Sequence, residues 1–346
     1  MMKTSRTGLR ITLIFLLLLI VAGGGVFFYL NSPGAAVRAD DHVFKVVRGE
    51  TVSAIAARLQ EEELIRSALL LRAVSWLQGT ESHFKSGYFR FMPGDTTLDI
   101  HHLLIVGYAE QVKITIPEGW TLTQVGRYLE SREVCSLEEF VRAAGSPELL
   151  AAYGIPAQTL EGYLYPDTYF FPKGYPALAV AERLTETFFS RLEKIAPEAE
   201  QLDSGELHRK IILASIIERE YRLPEEARLI ASVFYNRLRF NIGLESCATL
   251  QYIITEIQQK PHPEYLTLED KAIDSPYNTY KWAGLPPGPI ANAGSVALDA
   301  AFHPENTDFY YFVLRDPASG KHYFSEDLEE HNWAKYNYLK QTGSGG

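Results

Sequence analysis

Residues Leu9 to Leu30, LRITLIFLLLLIVAGGGVFFYL, carry no charge after Arg10. The apolar run from Ile11 to Leu30 is long enough, as a helix, to cross the ~30 Å of hydrocarbon in a bilayer. Hydrocarbon offers the backbone no hydrogen-bonding partner, so such a run is helical. Lys3, Arg6 and Arg10 precede it, with no acid among the first ten residues. That asymmetry predicts a cytoplasmic tail over 1–8, a transmembrane helix over 9–30 and export of everything that follows. A cleaved signal peptide is the competing reading. Its apolar core would be about 7–15 residues, whereas this one continues through Val26, Phe27 and Phe28 past a glycine triplet.

The length, 346 residues, leaves room for about two globular domains behind that helix. A 46% hydrophobic content supplies their cores, and a net charge of −10 without a basic stripe excludes a nucleic-acid partner. Cys135 and Cys247 are too few for a disulfide framework. They are either two separate thiols or one pair, and spacing does not decide which.

Residues 31–42, NSPGAAVRADDH, read as a polar linker. Val43–Val47 then alternates as a strand, Arg48-Gly49 turns, and Val52, Ile55, Ala56 and Leu59 recur at helical spacing. A second helix over Ala68–Leu77, a strand in Ser86–Gly94, a helix over Leu98–Val106 and a strand over Gln111–Ile116 complete a small α+β module, 43–115. Beyond it helices dominate, near 121–131, 136–144, 176–195, 206–221 and 225–239. Thr121 with Gln124 forms a capping-box pattern. After residue 260 the helical signal fades. Pro276, Pro286, Pro287 and Pro289 impose an irregular loop, and Phe309–Asp316 with Gly320–Ser325 reads as a hairpin. The tail after 340 is expected to be disordered. The fold class is therefore α+β: one transmembrane helix, a small α+β module, and a larger, mainly helical domain over 116–340 with a short β-hairpin.

Within that larger domain LASIIERE, Leu213–Glu220, ends a helix that is apolar nearly all round, hence buried. Leu207, Ile211, Ala214 and Glu218 share one stripe, and Leu213, Ile216 and Ile217 surround Glu220 in the same way. The helical wheel does not choose between the two acids, and Arg219 or Arg222 is able to pair with either. A carboxyl in a low-dielectric pocket holds its proton near neutral pH. That is what a general acid at a glycosidic oxygen requires. Twenty tyrosines and eighteen phenylalanines cluster in loops such as Leu160–Gly174 and Ser275–Ile290. Aromatic faces beside Asn and hydroxyls suit a carbohydrate cleft; they also suit an aromatic core. No HExxH, GxSxG or phosphate-binding glycine loop occurs, so no metal and no cofactor is expected.

The stretches IPEGWT, LEGYLYPDTYFF, ILASIIERE, ASVFYNRLRFNIGLES, SPYNTYKWAGLPPGPIAN and GKHYFSEDLEEHN resemble the YceG-like family of membrane-anchored endolytic murein transglycosylases. The likeness covers about residues 116–332 and extends more weakly back to about 43. The resemblance implies that Glu218 is the catalytic acid and that 43–115 is a LysM-like module. It further implies that Glu161, Tyr163, Asp167, Asn236, Glu245, Tyr252, Tyr277, Asn278, Thr279 and Tyr280 line or shape the substrate cleft. The chain departs from the family where LESCATLQY stands for a stretch usually similar to LQSDPTVQY, placing Glu245, Cys247 and Ala248 where Gln, Asp and Pro are usual. Asn292-Ala293-Gly294 stands where Asn-Pro-Gly is usual.

The implied activity is lytic cleavage of the MurNAc–GlcNAc β-1,4 bond in peptidoglycan, leaving 1,6-anhydro-MurNAc ends and terminating or trimming nascent strands. The implied setting is the bacterial inner membrane, with the catalytic domain outside the cytoplasm and peptidoglycan synthases as partners. Two rivals stand beside it: a hydrolase using Glu220 or Glu245 as base, and a non-catalytic peptidoglycan-binding scaffold.

Overall fold

The computed structural model describes residues 6–38, 41–107 and 111–342. Most of the expected cytoplasmic tail and the tail beyond Thr342 lie outside the described residues. The fold is mixed and mostly helical, with three two-stranded antiparallel or paired sheets among the described residues. The chain divides into two compact units, Met1–Gln111 with Pro172–Ala179, and Val112–Phe171 with Val180–Gly346.

In the first unit, helix α1 (Arg6–Asn31) holds the apolar run. It is the one helix among the described residues long and apolar enough to cross a membrane, with a mean hydropathy of 2.7 over Ile11–Asn31. Strand β1 (His42–Val46), helices α2 (Val52–Glu61) and α3 (Ala68–Leu77), strand β2 (Gly87–Phe91) and helix α4 (Thr97–Val106) follow. Each helix begins on a hydroxyl cap: Thr51 accepts from the Ala54 amide, Ser67 from Leu70, and Thr96 with Asp99 makes a reciprocal capping box. Strands β1 and β2 pair antiparallel with Phe44 opposite Phe89. Their inward residues Phe44, Val46, Phe89 and Phe91 meet Ile55, Leu59, Leu71, Ile100 and Leu104 in one core. The segment read as a linker is partly built in. Val37 is fully buried in this core, and a side chain on Gly34 would collide with the backbone of Glu63 and Leu64.

The second unit starts with β3 (Gln111–Thr115), which pairs with β4 (Thr168–Pro172). Between them lie α5 (Leu122–Ser131), α6 (Leu137–Ala144) and α7 (Pro147–Ala152). The Thr121–Gln124 capping box forms as the pattern predicts. Helices α8 (Ala177–Ile195), α9 (Ser204–Glu220), α10 (Ala227–Arg239), α11 (Cys247–Tyr252), α12 (Leu268–Lys271) and α13 (Ser295–Phe302) come next. Strands β5 (Tyr311–Asp316) and β6 (Lys321–Ser325) make the expected hairpin, and α14 (Leu328–Thr342) closes the chain. Helix α9 is the axis of this unit, with His208 and every residue from Ile211 to Ile217 buried. Helix α13 packs on it through Ala297, Leu298, Ala300 and Ala301, all 0% exposed, because alanines let two helix backbones approach closely. The two later helices α13 and α14 differ from the fading helical signal read after residue 260. The first is only eight residues long and the second has a polar sequence, so neither shows an apolar stripe.

Phe44 is 1% exposed and stacks with Phe91 at 6.0 Å. Phe44→Ala is expected to lower the stability of its unit by about 3–5 kcal/mol. The change at outward-facing Val43→Thr should stay within about 0.5 kcal/mol. Urea unfolding midpoints of the two variants check this.

Candidate active site

Glu218 and Glu220 are two residues apart near the end of α9, and so point about 200° apart. Glu220 accepts the hydroxyl proton of Ser246, the residue that caps α11, and the amide of Ala248 inside that helix. Burial raises its pKa, while Ser246, Ala248 and Arg219 work against the rise. This carboxylate anchors α11. Glu218 faces another helix start. Its Oε2 accepts from the Gly294 amide at 2.9 Å, Gly294 being the residue before α13, and the Tyr221 hydroxyl donates to the same carboxylate. Burial pushes Glu218 up to about 7, and the negative charge of Glu118 adds to the rise; the Gly294 amide, Arg219 and Tyr221 oppose it. The two acids, equivalent on the helical wheel, thus differ in neighbours far away in sequence.

Those neighbours are held by one turn and one amide. Glu118 precedes Gly119, whose φ of +76° requires glycine. The Gly119 amide donates to the Asn292 carbonyl at 2.9 Å, and the Asn292 amide donates to the Trp120 carbonyl at 2.8 Å. Arg219 fixes the turn from below by donating to the Gly119 carbonyl at 3.0 Å. The Asn292 side chain, fully buried, accepts from the amides of Gly162 and Leu164 and donates to the Trp120 carbonyl and to Glu161.

The residues expected to line the cleft fall into different places. Glu161 is buried and takes the Leu122 amide on both oxygens at 3.0 Å, so it caps α5. Burial raises it to about 8, with Glu256 adding to the rise. Tyr163 is buried and bonds His208 at 2.8 Å inside the core. Asp167 binds Arg191 at 2.7 Å and the Thr168 amide. Asn236 donates to the carbonyls of Thr307 and Phe309. Glu245 is exposed, with φ +53°, and pairs with Arg237 at 3.3 Å. Tyr252 and Tyr277 are ring neighbours at 5.1 Å, and both phenols are raised by burial and by Glu161. Asn278, fully buried, donates to the carbonyls of Lys271 and Ile273. Thr279, 1% exposed, accepts from the Ser246 amide. The Tyr280 hydroxyl meets the Cys247 thiol at 3.1 Å. Both cysteines are free, Cys135 buried and Cys247 exposed.

Around Glu218 the structure gathers Glu118, Gly294, Tyr221 and Asn292, none of which the sequence reading singled out as site residues. The signals were present but faint: an acid before a turn glycine in IPEGW, and a glycine directly before the Ser295 helix. No cluster of three or more metal-ligating side chains occurs among the described residues. A cavity of about 440 Å³ lined by Glu206, Lys210, Tyr235 and Arg239 lies along earlier turns of α9 and does not include Glu218 in its lining.

A half-buried carboxyl whose pKa burial raises, at the end of a buried helix in a mixed and mostly helical fold, marks a candidate active site. Residues 44–337 match the YceG-like family, and the chain belongs to that family. It is 33% identical over 309 residues to the endolytic murein transglycosylase of Bacillus subtilis, spanning 84% of this chain and 83% of that one. It is 27% identical over 316 residues to the endolytic murein transglycosylase of Streptococcus pneumoniae, covering 83% of this chain and 56% of that longer one. The crystal structure of a YceG-like protein from Listeria monocytogenes superposes with a TM-score of 0.56 at 30% identity, covering 85% of this chain and 98% of that one.

The Glu161 carboxyl, raised from 4.5 to about 8, binds its proton more tightly in the folded state. Its stabilising contribution is therefore complete below about pH 4.5 and is lost as pH rises through about 8. Glu161→Gln cannot ionise. Its thermal midpoint starts lower, because an amide cannot accept all the bonds Glu161 accepts. The gap to the parental protein should narrow between these two pH values. Parallel midpoint curves, measured by calorimetry, would contradict it.

Proposed function

We propose that the chain is a membrane-anchored peptidoglycan lytic transglycosylase that cuts the MurNAc–GlcNAc β-1,4 bond within glycan strands. The observation that carries this reading is the Glu218 carboxyl, shielded from water, held on the Gly294 amide and pushed up to about 7. Such a group arrives at the substrate protonated and is still acidic enough to give the proton away. Membership of the family, whose relatives in B. subtilis and S. pneumoniae carry the name endolytic murein transglycosylase, supplies the substrate class.

In this mechanism the Glu218 proton passes to the glycosidic oxygen as the bond from that oxygen to C1 of MurNAc breaks, and positive charge develops at C1. The ionised Glu218 then takes the proton of the C6 hydroxyl of the same sugar. The oxygen of that hydroxyl closes on C1 and leaves a 1,6-anhydro end. The nucleophile is already part of the substrate, so no bound water is needed and the ring closure has the advantage of proximity. Glu220 and Glu245, the bases a hydrolase would draw on, are engaged with Ser246 and Arg237 respectively.

The remaining parts fit the same role. Residues 43–115 are a LysM-like glycan holder in this reading, which the β1-α2-α3-β2 order of the first unit supports. Residues 116–340, most of which lie in the second unit, are then the catalytic domain. Helix α1 anchors the chain in the bacterial inner membrane, with the N-terminus in the cytoplasm. The catalytic domain outside is thereby kept near the surface where synthases release new strands, and those synthases are its proposed partners.

Digestion of purified glycan strands tests this. Glu218→Gln should lower turnover by at least about 10²-fold with glycan binding retained. The parental rate should fall as pH rises through about 7, because the acid must be protonated. Mass spectrometry should find anhydro ends. Reducing ends would mean a hydrolase, and glycan binding without new ends a scaffold.

A further inference from the structure

The proposed mechanism uses one carboxylate, yet the structure sets a second beside it. Glu118 is exposed, in the IPEGW turn. The two-way backbone pairing of Gly119 and Trp120 with Asn292 carries it to Gly294. A β-carbon built on Gly294 would lie 1.8 Å from Oε1 of Glu118. Gly294 has φ −84° and ψ −175°, extended backbone that any residue adopts. The missing side chain leaves the room that the Glu118 carboxylate occupies, and a larger residue here would push that carboxylate aside.

The same residue binds the acid, since its amide donates to Oε2 of Glu218 at 2.9 Å. One glycine thus has Glu218 on its nitrogen and Glu118 against its α-carbon. Allowing ~1.5 Å for each intervening bond, the two carboxylate oxygens lie within ~8 Å of each other. Paired carboxyl groups of glycosidases stand about 5–9.5 Å apart. The two environments also differ as a working pair requires, one carboxyl shielded and the other facing water.

We propose that Glu118 is the second carboxylate of the active site, the group that faces the positive charge developing at C1 of the sugar while Glu218 gives up its proton. The proposal rests on the reading of Glu218 as the acid. Glu118 forms no covalent bond. The glycosidic oxygen takes the Glu218 proton and the electron pair of the broken bond. The C6 oxygen then supplies the pair that closes on C1 and returns its proton to Glu218. Glu118 ends unchanged, having opposed the charge at C1 throughout. An anion held beside a shielded carboxyl acts more strongly than the same charge free in bulk water.

The charged and titratable groups facing Glu218 are Glu118 from the turn, Arg219 from its own helix and Tyr221 just beyond it. Arg219 is directed onto the Gly119 carbonyl and Gln251. Glu118 raises Glu218, and it raises the phenols of Tyr221 and Tyr165 too. Removing its charge therefore makes Glu218 ionise at lower pH.

The test compares the full chain with Glu118→Gln, Glu118→Asp, Gly294→Ala and Glu218→Gln, following glycan cleavage as a function of pH. Glu118→Gln should lose about 10²-fold in kcat, with KM and the thermal midpoint nearly unchanged and the alkaline limb moved to lower pH. Glu118→Asp should recover part of the rate. Gly294→Ala, whose methyl group displaces the Glu118 carboxylate, should lose rate even if the Gln variant fails to fold. A Glu118→Gln enzyme with parental kcat and an unmoved limb overturns the proposal, as does a loss confined to KM or to stability. Where Glu218→Gln is inactive and Glu118→Gln is fully active, only the role of Glu118 falls. Where Glu218→Gln still turns over at the parental rate, the reading of the acid falls first.

Discussion

The geometry of the site depends on one amide, the side chain of Asn292. Its oxygen takes the amide protons of Gly162 and Leu164 at 3.0 and 2.9 Å, and its nitrogen donates to the Trp120 carbonyl and to Glu161 at 2.9 and 3.1 Å. That is the full complement of an amide, two accepted and two donated bonds. No other side chain of its size offers both. An aspartate would lose both donors and set a negative charge beside Glu161. The group is fully buried, and a satisfied buried network specifies a single arrangement because each unmade bond costs about 1–3 kcal/mol. Three stretches more than a hundred positions apart in places are so clamped together: the turn 118–122, the aromatic segment 161–164, and the entry to α13.

Much of the second unit follows from that clamp. With Asn292 seated, its backbone pairs both ways with Gly119 and Trp120, and Gly294 falls at the end of α9. The aromatic segment is drawn inward by the same bonds. Tyr163 then reaches His208 on α9 rather than a surface cleft, and Glu161 reaches the first turn of α5. The site is thus a by-product of how the loops are closed, and its precision comes from backbone bonds rather than from the residues expected to touch sugar.

This explains what was legible in the sequence. Helices with an apolar stripe and a hydroxyl cap, such as α2 and α5, are read within a residue or so, since pattern and cap are both local. The hairpin of β5 and β6 is equally local. Helix α13 is not, because SVALDAAF is short and built mainly of small apolar residues, fitted to a slot against α9 and α10 rather than to a boundary with water. In the candidate site Glu218 was visible as one of two acids, but the distinction from Glu220 lies in Gly294 and Ser246, residues 76 and 26 positions away. Asn278 and Thr279 look from sequence like cleft residues because amides and hydroxyls in a proline-rich loop suit a sugar. In the fold they tie that loop to itself and to α11. Glu118 has no sequence signal beyond an acid before a glycine.

Three glutamates, Glu161, Glu218 and Glu220, are pushed up by burial, and each solves the same electrostatic problem in the same way. Glu161 sits on the Leu122 amide at the start of α5, Glu220 on the Ala248 amide at the start of α11, and Glu218 on the Gly294 amide at the start of α13. The amides at a helix start lack partners within the helix and carry partial positive charge, so they are the natural place to receive a shielded acid. The difference lies in what else each acid meets. Glu161 has three donors, the Leu122 and Gly162 amides and the Asn292 side chain, and Glu220 has a hydroxyl and an amide. Glu218 has one amide, a phenol and the opposing charge of Glu118. Glu218 and Glu220 each have two donors, and what sets Glu218 apart is its place beside the exposed Glu118. The same local device thus receives three shielded acids at three helix starts.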